Sequence, residues 1–446
     1  MTRRVPALAL LALVVGLALH NLAMALLWEA GVRDTALDVV AAWKEALLLV
    51  ALVAALAAVG TRPDLCWADR LALAYGVIVV VYWLLPQSWL GGEATVRGEL
   101  YALRHHLLPL GAYLLGRLIV LDRPWWRRIG LAIVAVGVGL AAWGLVDVYL
   151  VPLRWWRDSG APGWFEEQLG LAYRCLSGLP ENWILNTDED SPARRLVSTF
   201  LSPLATSYAL VVILLLLVCA RRRWWTVAAG AVVYAGFLWA HTRAAFLVLP
   251  VALLVVAALR RSWAPVGLAV GSAVVSAAFV GLFPSIGPET TYTETELACL
   301  RENAAAEGEA SDDPFSRGES SISSHLSALR DGIETVARHP WGYGLGNAGV
   351  SASRTGAEVK AGESTYTELG VDAGVLGMVA FVGWLVALCL ALLRRSAWLT
   401  SSVAAVALLG LQTDVIGIHW LSVAVFALAG AAIGSDRGAP PPEDAL

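Results

Sequence analysis

Long uninterrupted apolar runs constrain this chain more than any other feature. Stretches of about 18 residues or more with few charges recur along it, each long enough to cross a bilayer as a helix. A soluble core has no use for so many, and a membrane barrel shows alternating segments of about 10 residues instead. The fold class expected is therefore all-α, a polytopic membrane protein. The spans read as 5–27, 38–60, 69–86, 104–121, 128–151, 199–220, 224–241, 243–259, 264–284, 366–393, 397–413 and 416–434, about twelve in a single transmembrane domain over 1–434. The first is too long, and lacks the small-residue cleavage site, for a removed signal peptide. A short tail, 435–446, reads as disordered and cytoplasmic.

Twelve spans place both termini on one side, and the short connections say which. Arginines crowd the connections on the terminal side (Arg62, Arg70, Arg123, Arg127, Arg221, Arg222, Arg223, Arg260, Arg261, Arg394), and few lie on the other. By the positive-inside rule both termini are cytoplasmic, in a multi-pass protein of the cytoplasmic membrane. Two long loops, about 152–198 and 285–365, then fall outside, the second between helices 9 and 10. Each carries one cysteine, Cys175 and Cys299, so a disulfide joining the loops or two unpaired thiols are both open. The acidic, alanine-rich segment 290–313 reads as a mobile part of the second loop.

Candidate chemistry gathers at the outer boundary. Arg243, between two apolar spans, either grips an anionic phosphate or snorkels at the interface. Arg194 and Arg195 precede the sixth span, and Arg104, His105 and His106 begin the fourth; with Arg243 they make a basic collar below an acidic exterior. Lys44 and Glu45 inside the second span line a pocket or join helices. From Ser320 an amphipathic helix, with Leu326, Leu329, Ile333 and Val336 on one face, stops at His339-Pro340. A turn with Gly342, Gly344 and Gly346 follows, then a polar linker with Lys360 and Glu363. Glu363 is a candidate general base; His339 is the alternative, or else a residue favouring the helix dipole. The formal net charge of −4 argues against a nucleic-acid partner. No phosphate-binding loop, metal-ligand cluster, nucleophile elbow or dinucleotide fingerprint is present, so neither metal nor cofactor is expected.

Four passages in this order, RRLVSTFLSPLATSYAL, HTRAAFL, RHPWGYGLGNAG and STYTELGVDAGVLG, resemble the O-antigen ligase and O-antigen polymerase-like membrane proteins. The resemblance implies a glycosyltransferase at the outer face. It would move a glycan from an undecaprenyl-pyrophosphate donor to an acceptor hydroxyl on a glycan or lipid, without a metal. It assigns Arg243 to the donor phosphate. The other candidate substrate-binding residues, Arg195, Arg194, Arg104, Lys44, His339, Gly344 and Gly346, are read from their own places in the chain: the basic collar, the second span and the glycine-rich turn. The family often has a His-Asn pair where this chain has Glu363-Ser364. That departure makes Glu363 the base and points to a polymerase before a ligase. The competing class is a transporter or flippase of lipid-linked glycans, which should show internal repeats and midplane broken helices. A third is a non-catalytic assembly partner, in which Arg243 and Glu363 are free to vary.

Overall fold

The computed structural model describes residues 4–58, 64–185, 192–307, 320–435 and 442–446. It is mostly helical. The N-terminal part runs α1 (Val5–Glu29), α2 (Asp34–Ala41), α3 (Trp43–Ala58), α4 (Trp67–Leu84), α5 (Gln87–Leu90), α6 (Val96–Leu118) and α7 (Arg123–Leu150). A folded cap follows with α8 (Leu153–Asp158), α9 (Ala161–Gly163), a π turn and an antiparallel hairpin, β1 (Ile184–Leu185) with β2 (Ala193–Arg194). Then come α10 (Pro203–Cys219), α11 (Trp224–Trp239), α12 (Arg243–Arg260), α13 (Ala264–Ile286), α14 (Glu294–Glu307), α15 (Ser320–Arg338), α16 (Gly349–Ser353), α17 (Thr365–Leu392), α18 (Ala397–Leu409) and α19 (His419–Gly434).

Among the described residues seven helices, counting α2 and α3 as one, are long and apolar enough to cross a membrane; α10, α11, α18 and α19 are shorter apolar helices. The chain is thus a polytopic helical membrane protein. Its perimeter exposes large apolar side chains such as Val39, Leu56, Leu247 and Leu376, a surface that suits lipid and not water. The middle is different: α10 and α19 are buried on nearly all faces, as helices apolar all round must be. α19 lies tight on α6, because a side chain on Gly116 would strike the Ala427 carbonyl and one on Gly430 the Tyr113 carbonyl. Beside Gly116, in the last turn of α6, Arg117 donates to both oxygens of Asp69, at 2.7 and 2.9 Å, and ties α6 to α4.

The two loops expected outside the membrane both contain folded structure. The cap packs Trp156, Trp164, Phe165 and Trp183 onto Met24 and Trp28 of α1. Of the segment 290–313 expected to be mobile, residues 308–313 lie outside the described residues; α14 covers 294–307, and Glu296 is buried under the cap, accepting from Arg157 at 2.7 and 2.9 Å and from Ser177 at 2.6 Å. Cys175 and Cys299 are joined, with Cα atoms 5.3 Å apart, so the two loops are one covalent unit. The expected disordered tail also differs at its end. Residues 436–441 lie outside the described residues, but Glu443 is buried and accepts from Ser396 Oγ at 2.6 Å and the Ala397 amide at 3.0 Å. A carboxylate there satisfies the otherwise unpaired N-terminal amides of α18.

The tenth apolar segment is broken. Within α17, Ala373 and Gly374 leave helical geometry, and Gly374 sits at φ +66, ψ 176, a region open only to glycine. The freed backbone groups find partners in the turn after α15: Val375 N donates to Pro340 O at 2.8 Å, and Tyr343 N donates to Val371 O at 2.6 Å. A side chain on Gly342 would lie 2.6 Å from Gly374 N. The glycine-rich turn is therefore plugged into the break in α17.

Candidate active site

The ends of α1, α3, α6 and α19 meet the cap around a cavity of about 370 Å³. Aromatic side chains of the cap, Trp164, Phe165 and Tyr173, form one wall. Lys44, Arg104 and Arg354 face it against one carboxylate, Asp38, among the described lining residues. The interruption between α2 and α3 leaves the Ala41 carbonyl for Lys44, whose Nζ donates to it at 2.8 Å. Lys44 is 2% exposed and sits 3.5 Å from Glu45, which in turn lies 3.4 Å from Arg104. Arg104 and Arg354 both lie over the Tyr101 ring, 5.3 and 4.7 Å from its centre. Burial holds the Arg354 guanidinium below the usual arginine range. A cluster of cations in a partly closed, desolvated space favours an anion.

A second pair of cations adjoins that cavity through Asn182, which lines it. Arg195 donates to Asn182 O at 3.0 Å, to Thr242 Oγ1 at 3.2 Å and to Ala240 O at 3.3 Å, three neutral oxygens. Thr242 is the N-cap position of α12 and Arg243 its first residue. Burial, and then the Arg243 charge, push the Arg195 pKa down to about 10. Two guanidiniums near each other favour whatever anion comes between them.

Arg194 belongs elsewhere. It is 3% exposed, with its guanidinium 3.3 Å from Asp147 and donating to the carbonyls of Asp147 and Val151. Trp156 Nε1 donates to the same carboxylate at 2.6 Å. This is an internal pair joining α7 to the cap, not a group presented to a ligand. His339 likewise stacks on Tyr343 at 4.1 Å and shares a hydrogen bond with Leu90 O at 2.8 Å. Gly344 and Gly346 serve packing: a Cβ on the first would lie 2.8 Å from Gln87 Nε2, and on the second 2.7 Å from the Gly98 carbonyl carbon.

Glu363 sits at φ +64, a conformation L-residues rarely adopt, and its carboxylate contacts His325 Nδ1 of α15. Both side chains are partly exposed, at 42 and 35%. No local sequence pattern marks His325, which lies within the amphipathic helix α15 beside its apolar stripe. That stripe is only partly used: Val336 is buried, whereas Leu326 and Ile333 are exposed.

Two further pairs lie within the protein. His106 Nε2 is 3.0 Å from Asp372 Oδ2, whose other oxygen accepts from Asn347 N at 3.1 Å. His105 Nε2 is 3.1 Å from Asp414, which also accepts from Gly417 N. Glu368 is buried against Gly349, where a Cβ would meet its Oε2 at 2.1 Å. The sequence signal was the His105-His106 doublet, since adjacent helical positions point about 100° apart and need separate partners. Among the described residues no group of three or more His, Cys, Asp or Glu is placed to hold a metal ion.

The protein-family model described as O-Antigen ligase matches residues 232–382. No curated protein matches the chain. The matched stretch contains Arg243, His325, the glycine-rich turn, Glu363 and the break in α17, while Lys44, Arg104 and Arg195 lie outside it. Residues 232–382 of this chain are thus similar to an O-antigen ligase family.

Proposed function

We propose that this protein transfers a glycan from an undecaprenyl-pyrophosphate-linked donor to an acceptor hydroxyl at the outer face of the cytoplasmic membrane. The observation that carries the reading is the pairing of Arg195 with Arg243, beside the cavity faced by Lys44, Arg104 and Arg354, in a chain matched to the O-antigen ligase family. A lipid pyrophosphate needs a site of this kind, dense in guanidinium, at the end of helices and partly closed to water.

In this mechanism the acceptor oxygen attacks the anomeric carbon of the donor sugar. The bond from that carbon to the pyrophosphate oxygen breaks, and charge grows on the leaving group. Arg243 and Arg195 neutralise it, a task that fixed cations perform well in a desolvated site. Glu363 takes the proton of the hydroxyl, and His325, in contact with it, orients the carboxylate and receives the proton. One direct displacement inverts the anomeric centre. On this reading side-chain cations do what a metal would do, and no cofactor takes part. Glu363 in place of the family's histidine is the reason to put a polymerase before a ligase.

The topology proposed with this function has twelve crossings: the seven long helices, the four shorter apolar ones and α6, with both termini cytoplasmic and the cap outside.

The test is transfer by the purified protein in detergent with a lipid-pyrophosphate-linked glycan and no nucleotide or metal. A ladder of longer lipid-linked products, reduced about 10²- to 10³-fold in Arg243→Ala and about 10²- to 10⁴-fold in Glu363→Gln, is the expected result. One transfer onto a different acceptor would make the protein a ligase. A donor that binds and is moved across vesicles unchanged would make it a transporter and end this reading.

A further inference from the structure

A second and larger cavity, about 810 Å³, lies between α10, α11, α12 and α13, toward the ends of these helices opposite Arg243. Its walls are apolar, with Leu217, Leu249, Leu253, Leu268 and Val275 among them. Its mouth is not: Arg222, Arg260, Thr226 and Ser262 stand there. α11 and α13 also begin at the mouth, at Trp224 and Ala264, so two helices turn their positive ends toward it. Eleven residue steps along α12 separate Arg260 from Leu249. At about 1.5 Å a step the groove is roughly 16 Å deep, about half of the ~30 Å hydrocarbon thickness of a bilayer.

The described residues leave this space open. Gly230, Gly267 and Gly271 line the groove, and a Cβ built at any of them meets no atom within 4 Å. Alanine at these positions would meet no neighbour and would have favoured the helix. Among the described residues Glu443 lies 3.7 Å from Arg260 of the mouth, but it is engaged by Ser396 and the Ala397 amide at the start of α18. Arg222 and its neighbours Arg221 and Arg223 are exposed.

We propose that this groove is a binding site for one anionic glycerophospholipid, with its phosphate at Arg222 and Arg260 and an acyl chain along Gly267 and Gly271. Charge selects this occupant. A basic pocket between helices, one leaflet deep, fits an anionic headgroup and its own chain. The polyprenyl chain of the donor would enter from the Arg243 end and leave the arginines at the mouth without an anion. The site is independent of the transfer reaction. Only the leaflet, cytoplasmic in the topology above, rests on that reading.

The experiment uses the full chain in nanodiscs of phosphatidylcholine with a minor fraction of phosphatidylglycerol. The protein is extracted in mild detergent and its retained lipid is weighed by native mass spectrometry. The wild type should keep one phosphatidylglycerol, enriched roughly tenfold or more over its share of the disc. Arg222→Gln with Arg260→Gln should return it to the bulk ratio. Gly271→Leu should do the same with an unchanged or higher Tm, since the added side chain enters open space; it decides the matter if the arginine variant is unstable. Retention at the bulk ratio in the wild type, enrichment that survives Gly271→Leu, or displacement of the bound lipid by polyprenyl phosphate would overturn the proposal. Loss of transfer activity has no bearing on it.

Discussion

Arg194 and Arg195 are neighbours in sequence with opposite surroundings. Successive side chains of an extended chain point to opposite sides, so as the chain leaves β2 one arginine turns inward to Asp147 and the next toward Arg243. Arg194→Ala would strand a buried carboxylate and should cost about 3–5 kcal/mol, read as a lower Tm, with transfer by the surviving fraction unchanged. Arg195→Gln should do the reverse. The pKa of Arg195 is pushed below the ordinary 12.5 to about 10, so the folded state disfavours its charge. That penalty is present at every pH below about 10 and fades between 10 and 12.5. Removing the charge should therefore raise the Tm of the ligand-free protein while weakening donor binding. Inorganic pyrophosphate should raise the Tm of the wild type and shift Arg195→Gln much less; equal shifts would remove Arg195 from the anion site. The sequence places both arginines at one height above the membrane, and that much is legible from hydropathy alone. Which of them faces a partner depends on Asp147, 47 residues earlier in a different helix, and no local pattern carries that.

At the scale of the element, the break in α17 organises the region around Glu363. Gly374 has the backbone of glycine only, and an added Cβ would lie 2.9 Å from the Trp341 carbonyl carbon. Gly374→Ala should destabilise the protein on the order of 3 kcal/mol and abolish transfer, since α17 and the inserted turn would separate. Unchanged Tm in this variant would show that the break is dispensable. The sequence marks this turn by its glycines and by the proline before it, and close backbone approach is the right inference from them. What approaches is another matter: Gln87, Gly98 and Gly374, not a substrate. A single apolar stretch from Tyr366 to Leu393 gives no warning of the break, because Gly374 costs a hydropathy profile nothing. His325 was hidden for a related reason. It flanks the apolar stripe of α15, and only the fold brings it to Glu363.

For the whole molecule, hydropathy carries the polytopic helical class, since the bilayer makes buried backbone pairing and apolar length obligatory. It is silent about the loops, where polar composition is compatible with either mobility or a folded cap. The buried Glu296, held by Arg157 and Ser177, decides it for the cap. Arg157→Ala should leave that carboxylate without its counter-charge and lower the Tm, by about 3–5 kcal/mol in stability. Cys175→Ser should lower it by roughly 2–5 kcal/mol, and reductant should have the same effect on the wild type and none on the variant. The bond between Cys175 and Cys299 also orders events in time. Four helices, α10 to α13, separate the two cysteines along the chain. In the twelve-crossing topology proposed above, the link closes only after all four have been threaded into the membrane and the second thiol has emerged on the side of the first. On that topology oxidation is a late step of biogenesis that registers completed insertion, and a chain arrested between α10 and α13 would be recognisable by its free Cys175 thiol.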